Sequence, residues 1–215
     1  MSLRILQGWV LGSALTLSTL AGCPDDTIDT GDTGDTAGET TNPDRPDPLP
    51  TCDSTPRTPG TCAIGAVENL ASRGAQHINV PTPLSYEDDP PSSGNHRPFW
   101  AKWGEYDYLA PQVWLHNLEH GGIAFLYDPC APSELVDALR VFAQSQPEDD
   151  GGAFRWILTP YPDLPTPVAA VAWTWTWQAE CVDVESLEDF VVEHYRQAPE
   201  DLDWDGSYGA GWLGR

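Results

Sequence analysis

Three residues in one short stretch, His116, Glu119 and His120, have the types and spacing to do chemistry. His116 and His120 are four apart, so a helix would set both imidazoles on one face, a common way to give a metal ion two ligands. Glu119 follows His116 by three and falls near that face, as a ligand, as an acceptor for a ligand's N–H, or as a base. His96 and His77 are the candidates to complete the shell, because four of the five histidines lie between His77 and His120. Imidazole donors suit zinc or copper(II). Soft-ligand copper(I) chemistry has no support, since the only methionine is Met1 and every cysteine has another assignment.

Two other readings compete with a metal site of this kind. H-x-x-E-H is the inverted zinc-peptidase signature, in which the Glu activates a metal-bound water. A metal-dependent hydrolase of that type would draw a further acidic ligand from a later helix, where Glu188 and Glu193 are the nominees. It also needs a long helix around the motif, which Gly121-Gly122 cuts short. The plainer reading has both imidazoles bonding to backbone carbonyls near a helix end, with Glu119 paired to Arg97 or Lys102. Serine hydrolase chemistry is not indicated, because no G-x-S-x-G is present and Ser92 and Ser93 belong to a turn.

These residues must be held by short elements. Pro90-Pro91-Ser92-Ser93-Gly94 is a stiff turn that presents His96. Residues 113–120 read as a short helix stopped by Gly121-Gly122. A strand over 123–127 ends at Asp128-Pro129. A helix over 133–146 carries the apolar stripe Leu135, Val136, Leu139, Phe142 and Ala143. A strand over 154–159 precedes a proline loop, and residues 168–178 read as one long strand. A last helix spans 187–197, with His194 on its apolar side as a packed histidine. Residues 64–76 show no clear period, His77 to Val80 is a brief extended run, and the tail after 200 has no period either. Interleaved helices and few strands predict an α+β fold: a small mixed sheet with two or three packing helices, stapled by disulfides.

The cysteines and the N-terminus bear on location. Arg4, the apolar run from Val10 to Leu20 and the ending Leu20-Ala21-Gly22-Cys23 make residues 1–22 a secretory signal, and L-A-G-C resembles the bacterial lipobox. That predicts cleavage before Cys23, lipidation of its thiol, and membrane attachment outside the cytoplasm, with inner or outer membrane left open. Residues 23–49 are then a lipidated cysteine and an acidic, disordered tether; 25–48 hold eight acids and one Arg. Residues 50–215 form a single domain. Cys52, Cys62, Cys130 and Cys181 make an even set in an exported chain. We expect Cys52–Cys62, closing a Pro/Gly-rich loop, and Cys130–Cys181, each beyond a strand. The second bridge would make the strands over 123–127 and 168–178 parallel, with helix 133–146 inside the crossover.

Net charge is −23 for the chain, and residues 50–215 still hold 25 acids against eight bases. Nucleic acid is therefore not a partner, for want of a basic patch. No protein partner can be inferred. Trp173, Trp175 and Trp177 alternate along the expected strand, so their rings share a face: a core face under a helix, or, in an interaction module with structural histidines, a ligand face.

Around these motifs the sequence resembles the family described as domain of unknown function 3105. The residues that carry the likeness are His77, Tyr86, Pro90, Pro91, Ser93, Gly94, His96, Gly104, Tyr106, His116, Leu118, Glu119, His120, Gly121 and Tyr127, with Ser92 where the family has Thr. The likeness covers roughly residues 65–195. It implies an exported or membrane-tethered bacterial protein and histidines that act together, with no established activity.

Overall fold

The computed structural model describes residues 44–53, 55–58, 60–62, 65–162 and 164–207. The expected signal segment, Cys23 and most of the tether lie outside the described residues. The fold is α+β. Its elements in chain order are β1 (Ala66–Asn69), β2 (Gly104–Glu105), α1 (Pro111–Glu119), β3 (Ile123–Tyr127), α2 (Ser133–Ser145), β4 (Trp156–Pro160), β5 (Val168–Ala172), β6 (Trp175–Ala179) and α3 (Val184–His194). The strands form one mixed sheet in the order β1-β6-β5-β3-β4-β2.

Alternation along the central strands builds two cores, one on each face of the sheet. Ala124 and Leu126 of β3, with Ala169 and Val171 of β5, pack with Val113, Trp114, Leu115 and Leu118 of α1. Ile123 and Phe125, with Val168 and Ala170, pack with Leu139 and Phe142 of α2 and Leu187, Phe190 and Val191 of α3. All five residues of β5 are buried, as expected for a strand covered on both faces. The site-bearing helix α1 thus has its own face of the sheet, and α2 and α3 have the other.

The run over 168–178 is not one strand. It folds back at Trp173-Thr174, where Thr174 takes φ 64°, and becomes the antiparallel hairpin β5–β6. The tryptophans are divided in consequence. Trp173 joins the α1 side, while Trp175 and Trp177 pack on the α2/α3 side. β5 runs antiparallel to β3, and the parallel crossover through α2 joins β3 to β4 instead. Residues 66–69, where the sequence shows no period, are an edge strand antiparallel to β6.

Both expected disulfides are replaced by others: Cys52 pairs with Cys130, and Cys62 with Cys181. The sheet order gives the reason. Cys130 follows β3 and Cys181 follows β6, strands that point the same way, but β5 lies between them. Two strand spacings, roughly 9.5 Å, exceed the reach of about 7 Å for a disulfide. Cys62 instead lies four residues before Ala66 of β1, whose antiparallel register sets Ala66 opposite Gln178, so position 62 falls opposite 182 and beside Cys181. Cys52 is carried to Cys130 by the segment in which Arg57 N–H donates to the Cys130 carbonyl at 2.9 Å and Arg57 pairs with Asp128. Bridges across 78 and 119 residues belong in an oxidising, extracytoplasmic setting. No helix among the described residues is long and apolar enough to cross a membrane.

Candidate metal centre

Helix α1 starts on Pro111, whose fixed φ suits a first helical turn. It stops after nine residues because Gly121 turns left-handed at φ 83°, its N–H donating to Leu118 and that of Gly122 to Asn117. A short helix sealed against the sheet leaves its last turn buried, so His116, Glu119 and His120 are each no more than 4 % exposed. The two imidazoles meet edge to face with centroids 4.7 Å apart.

The His96 loop is held from both sides. Gly94 N–H donates to Gly74 and His96 N–H to Gln76, while Ile78 N–H donates to the His96 carbonyl. This isolated parallel bridge sets His77 and His96 side by side, with ring centroids 5.0 Å apart. On the α1 side, Arg97 N–H donates to the Gln112 carbonyl at 2.7 Å. Below the loop, Thr174 N–H donates to Ser92, and Trp173 meets the His96 ring edge to face.

Together these contacts bring His77, His96, His116 and Glu119 into a group whose candidate ligand atoms all lie within 4.8 Å of one another. Glu119 Oε2 is 2.9 Å from His96 Nε2 and 3.3 Å from His77 Nε2. His96 Nδ1 lies 2.8 Å from the Gly94 carbonyl, and His116 Nδ1 lies 2.7 Å from the Arg97 carbonyl. A carbonyl only accepts, so both Nδ1 atoms carry hydrogen, which leaves Nε2 as the nitrogen each ring can offer to the cluster. Such anchoring is what orients histidine ligands at metal sites. For His96 it also means that a lone pair faces a carboxylate oxygen unless a cation, proton or metal, sits between them.

Electrostatics agree with neutral rings at His116 and His120 and an ionised carboxylate at Glu119. Burial pushes His116 down to about 3, against a partial rise from its bond to Arg97. Burial likewise takes His120 down to about 4. Burial alone would raise Glu119, but hydrogen bonds and charge from His96 and His77 outweigh it and hold the group below its ordinary value. His77 forms the rim, its side chain 45 % exposed.

His120 is placed differently from the other three histidines. It falls in a second group with Glu119 and Glu200. Glu119 meets His96 and His77 rather than Arg97 or Lys102; Arg97 is committed to Asp44 through two 2.6 Å contacts. Glu188 and Glu193 are exposed on α3, which packs on the opposite face of the sheet from α1. His194 is packed: 7 % exposed and stacked on Trp175 at 4.2 Å. Sequence reasoning did not single out Asp44, Trp100 or Glu200. Asp44 sits at the end of the acidic segment read as a tether, and Glu200 opens an aperiodic tail. Trp100 packs its ring against His116 and His120 at 4.9 and 4.3 Å.

A family model described as "Protein of unknown function (DUF3105)" matches residues 77–204. The chain belongs to the DUF3105 family. No curated protein and no solved structure matches it. The DUF3105 match runs from the rim histidine, His77, past Glu200, so all residues of both groups lie within it.

Proposed function

We propose that this DUF3105 domain binds one divalent transition-metal ion, zinc or copper(II), through His77, His96, His116 and Glu119, outside the cytoplasm and tethered to a membrane by lipidated Cys23. One observation carries the metal reading. His96 and His116 both spend Nδ1–H on backbone carbonyls, His96 turns Nε2 to the buried Glu119 carboxylate, and His116 offers a ligand atom within 4.8 Å of the same group. Three imidazoles and one carboxylate are a donor set that zinc and copper(II) accept. The disulfides support the compartment, and the lipobox-like Leu20-Ala21-Gly22-Cys23 supports the anchor. A hydrolase using Glu119 as base gains less support, because that carboxylate is buried among the imidazoles as a ligand would be.

The test is metal content of the full chain, exported to the periplasm without a polyhistidine tag. Near-stoichiometric zinc or copper in the wild type, lost in His96→Ala/His116→Ala, supports the reading. No metal after reconstitution with either ion overturns it. For the anchor, Cys23→Ser should move the protein from the membrane to the soluble fraction; continued membrane retention would refute attachment through Cys23.

A further inference from the structure

We propose a second metal position beside the first, formed by Glu119, His120 and Glu200, so that the Glu119 carboxylate bridges two ions. The inference rests on the metal reading of the first group and deepens it.

The candidate ligand atoms of Glu119, His120 and Glu200 also lie within 4.8 Å of one another. Glu119 belongs to both groups, and an ionised carboxylate has two oxygens and about four lone-pair positions, enough for two ions. Its Oε2 faces His96 and His77. His120 is 2 % exposed, and its Nε2 faces Glu200 Oε2 at 3.4 Å. Its Nδ1, unlike those of His96 and His116, is buried with no hydrogen-bond partner. A buried imidazole left so poorly satisfied costs stability, and its ring is fixed between Trp100 and His116. An imidazole that makes so few hydrogen bonds within the fold has a ring nitrogen to offer an ion beside Glu119 and Glu200.

Glu200 does not reach His120 by the chance swing of a surface side chain. Its own N–H donates to the Glu119 carbonyl at 3.1 Å, and Arg196 N–H donates to the Gly121 carbonyl at 2.9 Å. Arg155, 4 % exposed, then ties the His120 carbonyl at 2.8 Å to the Asp201 carboxylate at 2.6 Å. The backbone on both sides of Glu200 is stitched to the C-terminal end of α1. Its carboxylate, 52 % exposed, forms the outer wall.

The two positions differ in chemistry. The first offers three imidazoles and one carboxylate. The second offers one imidazole and two carboxylates, a harder set that accepts zinc or manganese(II) and leaves coordination positions to water on the solvent side. A shared carboxylate sets the ions at the spacing of two-metal sites, about 3.5–4 Å. The second ion binds more weakly and exchanges faster than the first.

Titration of the metal-free full chain with zinc tests this, followed by calorimetry and by metal analysis after gel filtration. Wild type takes up two equivalents, the second more weakly. Glu200→Ala and His120→Phe each take up one, while Glu188→Gln, remote and exposed, keeps two. Copper(II) loading adds a reading that folding defects do not imitate: the two-equivalent wild type shows an exchange-coupled, diminished paramagnetic signal, and Glu200→Ala shows that of an isolated ion. A single equivalent in the wild type overturns the second position and leaves the first standing. Two equivalents that persist in both variants also overturn it. No uptake at all overturns the metal reading as a whole.

Discussion

Asp44 grips Arg97 through paired contacts, Oδ2 to Nε and Oδ1 to Nη2, each 2.6 Å, across 53 residues of sequence. Both side chains are at most 5 % exposed. The remaining Arg97 donor, Nη1, reaches the carbonyls of Ile78 and Thr82. One arginine thereby joins the chain at Asp44, the segment after His77 and the loop after His96. Its carbonyl is also the acceptor that orients His116.

Asp44→Asn should therefore do more than weaken a surface contact. Removing one partner of a buried pair leaves an uncompensated charge, a loss of about 3–5 kcal/mol. The loop that holds His96 and the Arg97 carbonyl loosens with it. We expect a lower melting temperature and weaker zinc binding than in wild type, and the same pair of defects in a chain begun at residue 50. Equal melting and equal affinity in Asp44→Asn would show that the pair does not support the site.

Gly121 is the second position where backbone controls the site. Its φ of 83° disfavours any side chain, and a Cβ there would sit 2.9 Å from Arg196 Cα. The left-handed conformation alone costs a non-glycine residue about 1–2 kcal/mol. Gly121→Ala should lower stability by at least that much and push away the tail that carries Glu200. Limited proteolysis should then cut the 196–207 segment sooner than in wild type. Unchanged cleavage kinetics would mean that the tail is held independently of this contact.

What could be read in the sequence was local. Ile123–Tyr127 is a continuous apolar run closed by Asp128-Pro129, which places it as a strand, and Gly121-Gly122 gives the helix stop. The stiff loop before His96 and the spacing of His116, Glu119 and His120 mark the site. The rest depended on tertiary contact. The run VAAVAWTWTWQA contains no glycine, proline or asparagine, so nothing local marks the hairpin at Thr174. β1 has four residues, all exposed, and gains its conformation from pairing with β6. Without β1 and the turn at Thr174, the cysteine pairing is out of reach. Asp44 and Glu200 lie in segments without periodicity and become site residues only through Arg97 and Arg155.

His194 offers a pH test away from the metal ligands. Burial against Trp175 and Phe190 lowers its pKa below 6.5, partly countered by Glu193. The unfolded chain then binds more protons than the fold just below pH 6.5, so stability is complete above that value and falls as pH drops towards the depressed folded value. Urea midpoints measured with chelator present should fall between pH 7.5 and pH 5.5 in wild type. In His194→Gln the fall should be smaller. Equal falls in the two proteins would assign the acid sensitivity to other groups.

The rim and floor of the first position should respond differently to substitution. His77 is 45 % exposed on its side chain, so His77→Ala leaves three protein donors and room for water in place of the ring. His116 is 2 % exposed, stacked on His77 at 4.6 Å and bonded to Arg97. Replacing it by Ala removes a donor, opens a cavity and leaves the Arg97 carbonyl without its partner. We expect His77→Ala to fold normally and bind zinc at least about 10–100-fold more weakly, since removing even an outer partner of a ligand costs that much. His116→Ala should lose zinc and unfold at lower temperature even with chelator present. Zinc affinity undiminished in His77→Ala would place the ion away from the rim. Zinc retained in His116→Ala would remove the floor, and the ion would then have to be sought at the Glu200 side.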